Sequence, residues 1–185
     1  FTKLVGNETF GSVAPYYITQ IYFVQGKYKQ VVESAPKLLN DSNQIQKKSE
    51  INRMIGESYY NLKDYTNALT YLKQTELASN LNTEGNYALA YCYYKLKDYN
   101  NAITYFEKAV TNEDSLAQNS YYHLGDCYIN VNLKSKAKNV FYLATTHNFD
   151  KKITEDALFS FAKLSYELDF SPFNDAVKAF SKYLK

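Results

Sequence analysis

Apolar residues recur along this chain at the spacing of a helix and not in the alternation of a strand. Leu89, Ala90 and Tyr93 follow one another at i, i+1 and i+4, which places them on one helical face. A second stripe of the same kind runs through residues 102–109. Between the stripes, we predict that Asp98 accepts hydrogen bonds from the free amides that begin the second helix. The pattern therefore predicts a helical hairpin.

The hairpin pattern repeats along the chain. Residues 59–72 align with residues 93–106 at an offset of 34, and ten of the fourteen positions are identical. A third copy follows 35 residues later, where residues 124–128 match residues 89–93. A hairpin of this length cannot bury both of its faces alone, so the repeats are predicted to stack on one another.

Small residues stand at fixed places in each copy. They allow two helix axes to approach to about 8 to 9 Å, near the close end of helix packing. We predict that Gly56, Ala90 and Gly125 on the first helices face Ala68, Ala102 and Ala137 on the second.

The repeats define one predicted domain, residues 12–185, after a lead-in at residues 1–11. Within it, Pro36 is expected to kink the second helix, and Ser171 with Pro172 is expected to begin the last helix. The five predicted hairpins span approximately residues 12–40, 43–79, 82–112, 115–148 and 152–185.

Composition and charge narrow the class of protein. Only 6 Gly and 3 Pro occur in 185 residues, too few for a β-sandwich or a Gly-rich phosphate loop. Lys and Arg number 21 against 19 Asp and Glu, a net charge of +2, which predicts no nucleic-acid partner. No apolar stretch approaches the roughly 20 residues of a membrane helix, so no membrane insertion is predicted.

The order of large apolar, small, Tyr, small, aromatic and small residues resembles the tetratricopeptide repeat over nearly the whole chain. The resemblance implies an all-α fold, an α-solenoid of about five stacked hairpins in a right-handed superhelix, whose first helices line a concave groove. The family's first-helix Trp and terminal Pro are missing here. The residues that carry the resemblance are Leu89, Ala90, Tyr93, Ala102, Phe106 and Ala109, then Leu124, Gly125, Tyr128, Ala137, Phe141 and Ala144.

The resemblance also implies which first-helix positions face the groove, and these are rich in Tyr. A tyrosine offers apolar area and a hydroxyl, and an asparagine offers both a donor and an acceptor to a peptide backbone. With 20 Tyr and no Trp in the chain, the competing interpretation is that many of these rings pack between helices. The predicted partner-binding residues are Arg53, Tyr60, Asn61, Tyr87, Tyr91, Tyr94, Tyr122, Asn130, Phe159 and Tyr166.

The groove does not fit the carboxylate clamp by which some family members hold the C-terminal tails of chaperones. That clamp needs Lys, Arg and Asn at set positions. Successive copies of one clamp position hold Arg53, Tyr87 and Tyr122, of which only Arg53 is cationic. We therefore expect aromatic contacts and amide hydrogen bonds to meet any ligand.

No motif in the sequence indicates catalysis, a metal or a cofactor. There is no G-x-S-x-G, no H-E-x-x-H and no Gly-rich phosphate loop, so the protein is not predicted to be an enzyme. His123 and Cys127 are four residues apart, but two ligands do not make a zinc site. Cys92 and Cys127 are predicted to be small buried thiols.

Two functions remain open. The first is a non-catalytic scaffold that binds an extended peptide or a partner helix in the groove. The second is a structural spacer in a longer repeat protein, with no free ligand of its own; the start at Phe1 and the end within a helical pattern favour this interpretation. Residues 14–18, 122–128 and 155–159 resemble long repeat proteins of the Gram-negative cell envelope, which implies a periplasmic or outer-membrane-associated location.

Overall fold

The computed structural model describes residues 13–41, 46–78, 81–168 and 175–184, and these residues form helices joined by short turns, with no strand among them. The all-α prediction is confirmed. The described residues pack as two compact units, the first ending at Leu81 and the second beginning at Asn82. The lead-in at residues 1–11 and the predicted helix start at Ser171 and Pro172 lie outside the described residues.

The first unit contains two hairpins. Its core joins Val31 and Leu38 to Ile51 and Met54. The second helix changes type just before Pro36, where a kink is predicted: the α-helix ends and a 3₁₀ helix continues. In the first turn of that 3₁₀ helix, Pro needs no amide hydrogen. The helices are α1 (Ala14–Val24), α2 (Tyr28–Ser34), the 3₁₀ helix (Ala35–Asn40), α3 (Lys48–Asn61) and α4 (Tyr65–Ala78).

The second unit contains three hairpins that pack in sequence. The second helix of each hairpin packs on the first helix of the next, and the first helices are also neighbours, α5 of α7 and α7 of α9. The helices are α5 (Thr83–Lys95), α6 (Tyr99–Ala109), α7 (Ser115–Asn130), α8 (Lys134–Thr146), α9 (Lys151–Leu168) and α10 (Asp175–Tyr183).

The four hairpin turns that the structure describes share one backbone conformation. A left-handed residue follows the first helix, with φ of 68° at Gly26, 64° at Lys63, 63° at Lys97 and 60° at Asn132. Three of these are not glycine, so the turns hold side chains in a region that L-residues seldom adopt. As predicted, the carboxylate of Asp98 then accepts from the amide of the third residue beyond it, at 3.3 Å. The equivalent bond to Asp64 is 3.1 Å long.

The small residues permit close helix contact, but the tightest contact is one turn further along than predicted. A Cβ at Gly56 would lie 2.8 Å from the side chain of Leu72, and a Cβ at Gly125 would lie 2.4 Å from the ring of Phe141. The glycines therefore make room for a large side chain of the second helix. Ala68, Ala102 and Ala137 are fully buried beside these contacts.

A buried amide fastens α7 to the turn between α8 and α9. The Oε1 atom of Gln118 accepts from the backbone amide of Asp150 at 2.7 Å. Its Nε2 lies 2.9 Å from the hydroxyl of Thr154 and also contacts the carbonyl of His147. The side chain is fully buried, so these bonds replace the water it leaves behind.

Candidate functional site

Three tyrosines form a row on one face of α5 in the second unit. Tyr87, Tyr91 and Tyr94 are spaced four and three residues apart, which aligns them along the helix. Their ring centroids are 6.0 Å and 5.9 Å apart in succession, and all three side chains are half-buried. With Tyr122 and His123 of the neighbouring α7, they form what we call the tyrosine cluster.

His123 lies at the centre of this cluster. Its ring centroid is 5.1 Å from those of Tyr91 and Tyr94, 5.5 Å from Tyr122 and 5.6 Å from Phe106. The Nδ1 atom is enclosed and has no hydrogen-bond partner among the described residues. Burial, with a smaller effect from the charge of Lys95, lowers the pKa of His123 to about 4. The imidazole is therefore neutral at physiological pH.

The sequence analysis missed the place of His123 in the cluster. Equivalent positions in the two preceding repeats hold Ala88 and Met54, both buried. A polar ring at a position that is apolar in the other copies is the signal that could have identified it.

A hydrogen bond joins α5 to α7 at the edge of the cluster. The hydroxyl of Tyr94 donates to Oδ2 of Asp126 at 3.1 Å. Burial and the neighbouring carboxylate raise the pKa of Tyr94, so the hydroxyl stays protonated. Burial also raises the pKa of Asp126, while the bond from Tyr94 opposes that rise.

One cation also lies against the cluster. The Nζ atom of Lys95 is 4.9 Å from the centre of the Tyr91 ring and 5.4 Å from that of Tyr94. These distances fall within the range of a cation–π contact. Burial, and then the charges of Asp126 and Asp156, raise the pKa of Tyr122, so charges of both signs lie near the cluster.

A cleft of about 320 Å³ continues this face from α7 to α9. Asp126 and Ile129 line it on α7, and Lys163 and Leu164 line it on α9; we call it the Asp126 cleft. At its rim, Nζ of Lys134 lies 3.0 Å from Oε2 of Glu167. Because Asp126 accepts a hydrogen bond from Tyr94 of the cluster and also lines the cleft, the cluster and the cleft form one continuous surface.

Each hairpin of the second unit supports one aromatic ring on this face through its own core. The first-helix ring lies edge-on to a phenylalanine of the second helix, at centroid distances of 5.7 to 6.3 Å. The three pairs are Tyr87 with Phe106, Tyr122 with Phe141 and Phe159 with Phe180.

The other predicted residues of the second unit lie outside the tyrosine cluster. Phe159 is 46% exposed, and besides Phe180 its ring contacts that of Tyr183 at 5.5 Å. Tyr166 is 65% exposed. Asn130 is exposed and donates from Nδ2 to the carbonyl of Asp126 at 2.9 Å, so one of its amide hydrogens is already used within its own helix.

The remaining three predicted residues belong to the first unit. Arg53 pairs with Glu57 at 3.0 Å and lines a cleft of about 510 Å³ with Ile21 of α1. The ring of Tyr60 lies 6.4 Å from that of Tyr65. The exposed Asn61 donates to the carbonyl of Glu57 at 2.8 Å, as Asn130 does in its own repeat.

Other tyrosines are structural, as the competing interpretation expected. Tyr59 stacks on Tyr71 with centroids 5.7 Å apart, and Tyr93 stacks on Tyr105 at 5.6 Å. Both pairs join the two helices of one hairpin. Some tyrosine rings of this chain therefore pack between helices, and others lie at the surface.

The two cysteines are buried thiols, as predicted. Cys92 and Cys127 are fully buried and form no disulfide, and burial raises the pKa of each thiol to about 12.

Within the described ranges, no three His, Cys, Asp or Glu residues are grouped to hold a metal ion. None of the helices described has the length and apolar character to cross a membrane.

Sequence comparison matches three segments to a known repeat. Residues 54–75, 83–114 and 118–149 match models described as tetratricopeptide repeat. They cover most of the hairpins α3–α4, α5–α6 and α7–α8. No curated protein matches the sequence significantly.

Solved structures with the same fold span nearly the whole chain. YrrB, described as a TPR protein with an unusual peptide-binding site, is 17% identical, with a TM-score of 0.77 over 99% of this chain and 90% of its own. A MamA structure from AMB-1 is 16% identical, with a TM-score of 0.77 over 96% and 92%. MamA from Desulfovibrio magneticus RS-1 is 17% identical, with a TM-score of 0.69 over 94% and 93%. At these identities the similarity shows the α-solenoid fold, as predicted, and no ligand.

Proposed function

Because the chain belongs to the tetratricopeptide repeat family, we propose that it is a non-catalytic interaction module whose second unit binds an extended peptide of a partner protein. The proposed surface is the tyrosine cluster with the Asp126 cleft. The observation that carries the proposal is the row of half-buried rings at Tyr87, Tyr91 and Tyr94. The peptide-binding site named for YrrB supports the same kind of ligand.

The chemistry of the surface suits an extended peptide. Half-buried tyrosines provide large contact area with few rotatable bonds to immobilise, which is why such rings dominate interface energies. Asp126 can accept from a backbone amide of the peptide. Lys95 lies over exposed ring faces and can move to meet a carbonyl or carboxylate. The surface carries charges of both signs, since the cleft adds Lys134, Lys163 and Glu167, so it favours shape and hydrogen bonding over net charge.

The test is selection of peptides from a displayed random library on the purified chain, followed by titration of the selected peptides. Tyr87→Ala and Tyr91→Ala are expected to weaken binding about tenfold or more, the size of a hot-spot loss. Tyr17→Ala on α1, which removes a half-exposed ring from the first unit, is the matched control. Recovery of no peptide, or equal binding by all three variants, would contradict the proposal.

One observation favours the alternative of a structural spacer. The rings of the cluster contact one another, and Lys95 already covers two of them. Because the rings already make these contacts, the surface gains less contact energy from binding a ligand. On the spacer hypothesis, the selection yields nothing and Tyr91→Ala mainly lowers the free energy of unfolding. The envelope location implied by the sequence resemblance stays a prediction.

A further inference from the structure

A second cleft of about 480 Å³ lies between α8, α9 and α10 of the second unit. Tyr142, Leu158, Phe161 and Ala179 provide its apolar lining. None of these residues belongs to the tyrosine cluster or to the Asp126 cleft. The volume lies within the range of roughly 300 to 1,000 Å³ that is typical of ligand sites.

The aromatic lining of this cleft is accessible. The rings of Tyr142 and Phe161 lie 5.4 Å apart and are tilted by 47°. Tyr142 is 52% exposed, whereas Leu158 beneath it is 7% exposed. A large exposed ring over a buried apolar floor has the composition of an interface anchor site.

Lysines surround the apolar lining. Lys138 of α8 and Lys178 and Lys182 of α10 line the cleft, with Asp175 as its acidic residue. In the part of the chain that the structure describes, no ion pair involves Lys178 or Lys182. These two are four residues apart on one helix face, an arrangement of like charges that destabilises a helix. An anion bound in the cleft would remove that repulsion.

The lysines of α8 add to the positive charge around this cleft. The helix contains Lys134, Lys136 and Lys138 and no acidic residue. Lys134 is neutralised by Glu167, and the ammonium of Lys136 lies 5.4 Å from the Tyr128 ring. Lys138 faces the cleft, so the positive side of α8 reaches the same site as the lysines of α10.

We propose that this site, which we call the lysine cleft, binds an acidic segment of a partner protein that carries one aromatic or large apolar anchor. The anchor packs against Tyr142 and Phe161, and the carboxylates of the segment face Lys138, Lys178 and Lys182. The proposal is independent of the peptide surface on α5, α7 and α9. The chain would then hold two partners, or two parts of one partner, at once.

The probe is a short fluorescent peptide of Glu and Asp with one central Phe, titrated by anisotropy at low and at physiological salt. We expect saturable binding that weakens with salt, as charge pairing requires. Lys178→Glu with Lys182→Glu, and separately Tyr142→Ala, should each weaken binding about tenfold or more. Circular dichroism melting establishes that each variant is folded.

Matched controls separate the cleft from general charge and from the first proposal. Lys151→Glu with Lys152→Glu changes the net charge equally at two exposed lysines of α9 and should leave binding unchanged. Tyr91→Ala should also leave it unchanged, so failure of one proposal is distinguishable from failure of the other.

The proposal would be overturned by the absence of binding, by equal loss in the Lys151 and Lys152 control, or by equal binding when the central Phe of the probe is replaced by Gly. Binding of a single-stranded oligonucleotide as tightly as the peptide probe would also overturn the proposal, because such binding would show that the cleft attracts any polyanion.

Discussion

The hydroxyl of Tyr94 and the carboxylate of Asp126 form a hydrogen bond of 3.1 Å between consecutive hairpins. The bond holds α5 against α7 at the point where the tyrosine cluster meets the Asp126 cleft. The bond joins the tyrosine cluster and the Asp126 cleft into one surface. Its removal is therefore expected to lower the free energy of unfolding and to alter the proposed ligand site.

Tyr94→Phe removes this bond while keeping the ring contacts. We expect a loss of about 1 to 2 kcal/mol in the free energy of unfolding, because a buried acceptor loses its donor. The pKa of Asp126 should rise further, since the Tyr94 bond now lowers it. Chemical denaturation and an NMR titration of Asp126 measure the two effects. Tyr99→Phe, at the ring that packs on Tyr94, is the control and should change neither.

The stability of the second unit should depend on pH through His123. Its pKa is about 4 in the folded protein, against the ordinary value of 6.5 that the unfolded chain keeps, so the unfolded chain binds more protons between these values. Stability is then complete above pH 6.5 and falls as the pH drops toward 4, by at most about 3 kcal/mol.

His123→Met isolates this effect, because Met54 fills the equivalent position of an earlier repeat. The variant keeps Asp126, whose own pKa is raised, so the difference between the two proteins reports the imidazole alone. Thermal melting from pH 4 to 7 should show a flatter profile for the variant. Parallel profiles would mean that His123 titrates normally in the folded state.

Gln118→Leu should be strongly destabilising although it exchanges a polar side chain for an apolar one. The substitution leaves the amide of Asp150 without its partner and leaves the carbonyl of His147 only the hydroxyl of Thr154, at 3.4 Å. A buried group without a partner costs about 1 to 3 kcal/mol. Equilibrium denaturation measures the change. Asn119→Ala, where the amide bonds only within its own helix, is the comparison and should have a small effect.

Gly125→Ala should cost about 1 to 3 kcal/mol by overpacking. The new Cβ would lie 2.4 Å from the ring of Phe141. The double variant with Phe141→Leu should recover part of the loss, because the smaller side chain can move aside. If Gly125→Ala melts like the native chain, the close packing of α7 on α8 is not tight enough to matter.

The periodic features of this protein were predictable from its sequence, and the unique ones were not. The hairpins and the caps at Asp64 and Asp98 depend on residues near in sequence, and repetition made them visible. His123 stands where the two preceding repeats hold the apolar Ala88 and Met54, and Gln118 acts through bonds to the turn between α8 and α9, so the repeat pattern predicts neither role. The left-handed backbone conformation of Lys63 and Lys97 was not predicted, because lysine does not favour that conformation and the hairpin imposes it.

The predicted site residues also include some that helical spacing explains and others that it does not. Tyr87, Tyr91 and Tyr94 were placed together correctly because helical spacing fixes their common face. Phe159 and Tyr166 were assigned by register alone, and the structure places Phe159 against α10 of its own hairpin. Register specifies a side of a helix; it does not specify which neighbouring side chains complete a site.

The pairing of each surface ring with a phenylalanine of its own hairpin links the exterior of the second unit to its interior. A substitution at Phe159 disturbs the core of its own hairpin through Phe180, and one at Tyr87 also disturbs the next hairpin through His123. The exterior and the core of this unit therefore cannot vary independently during evolution.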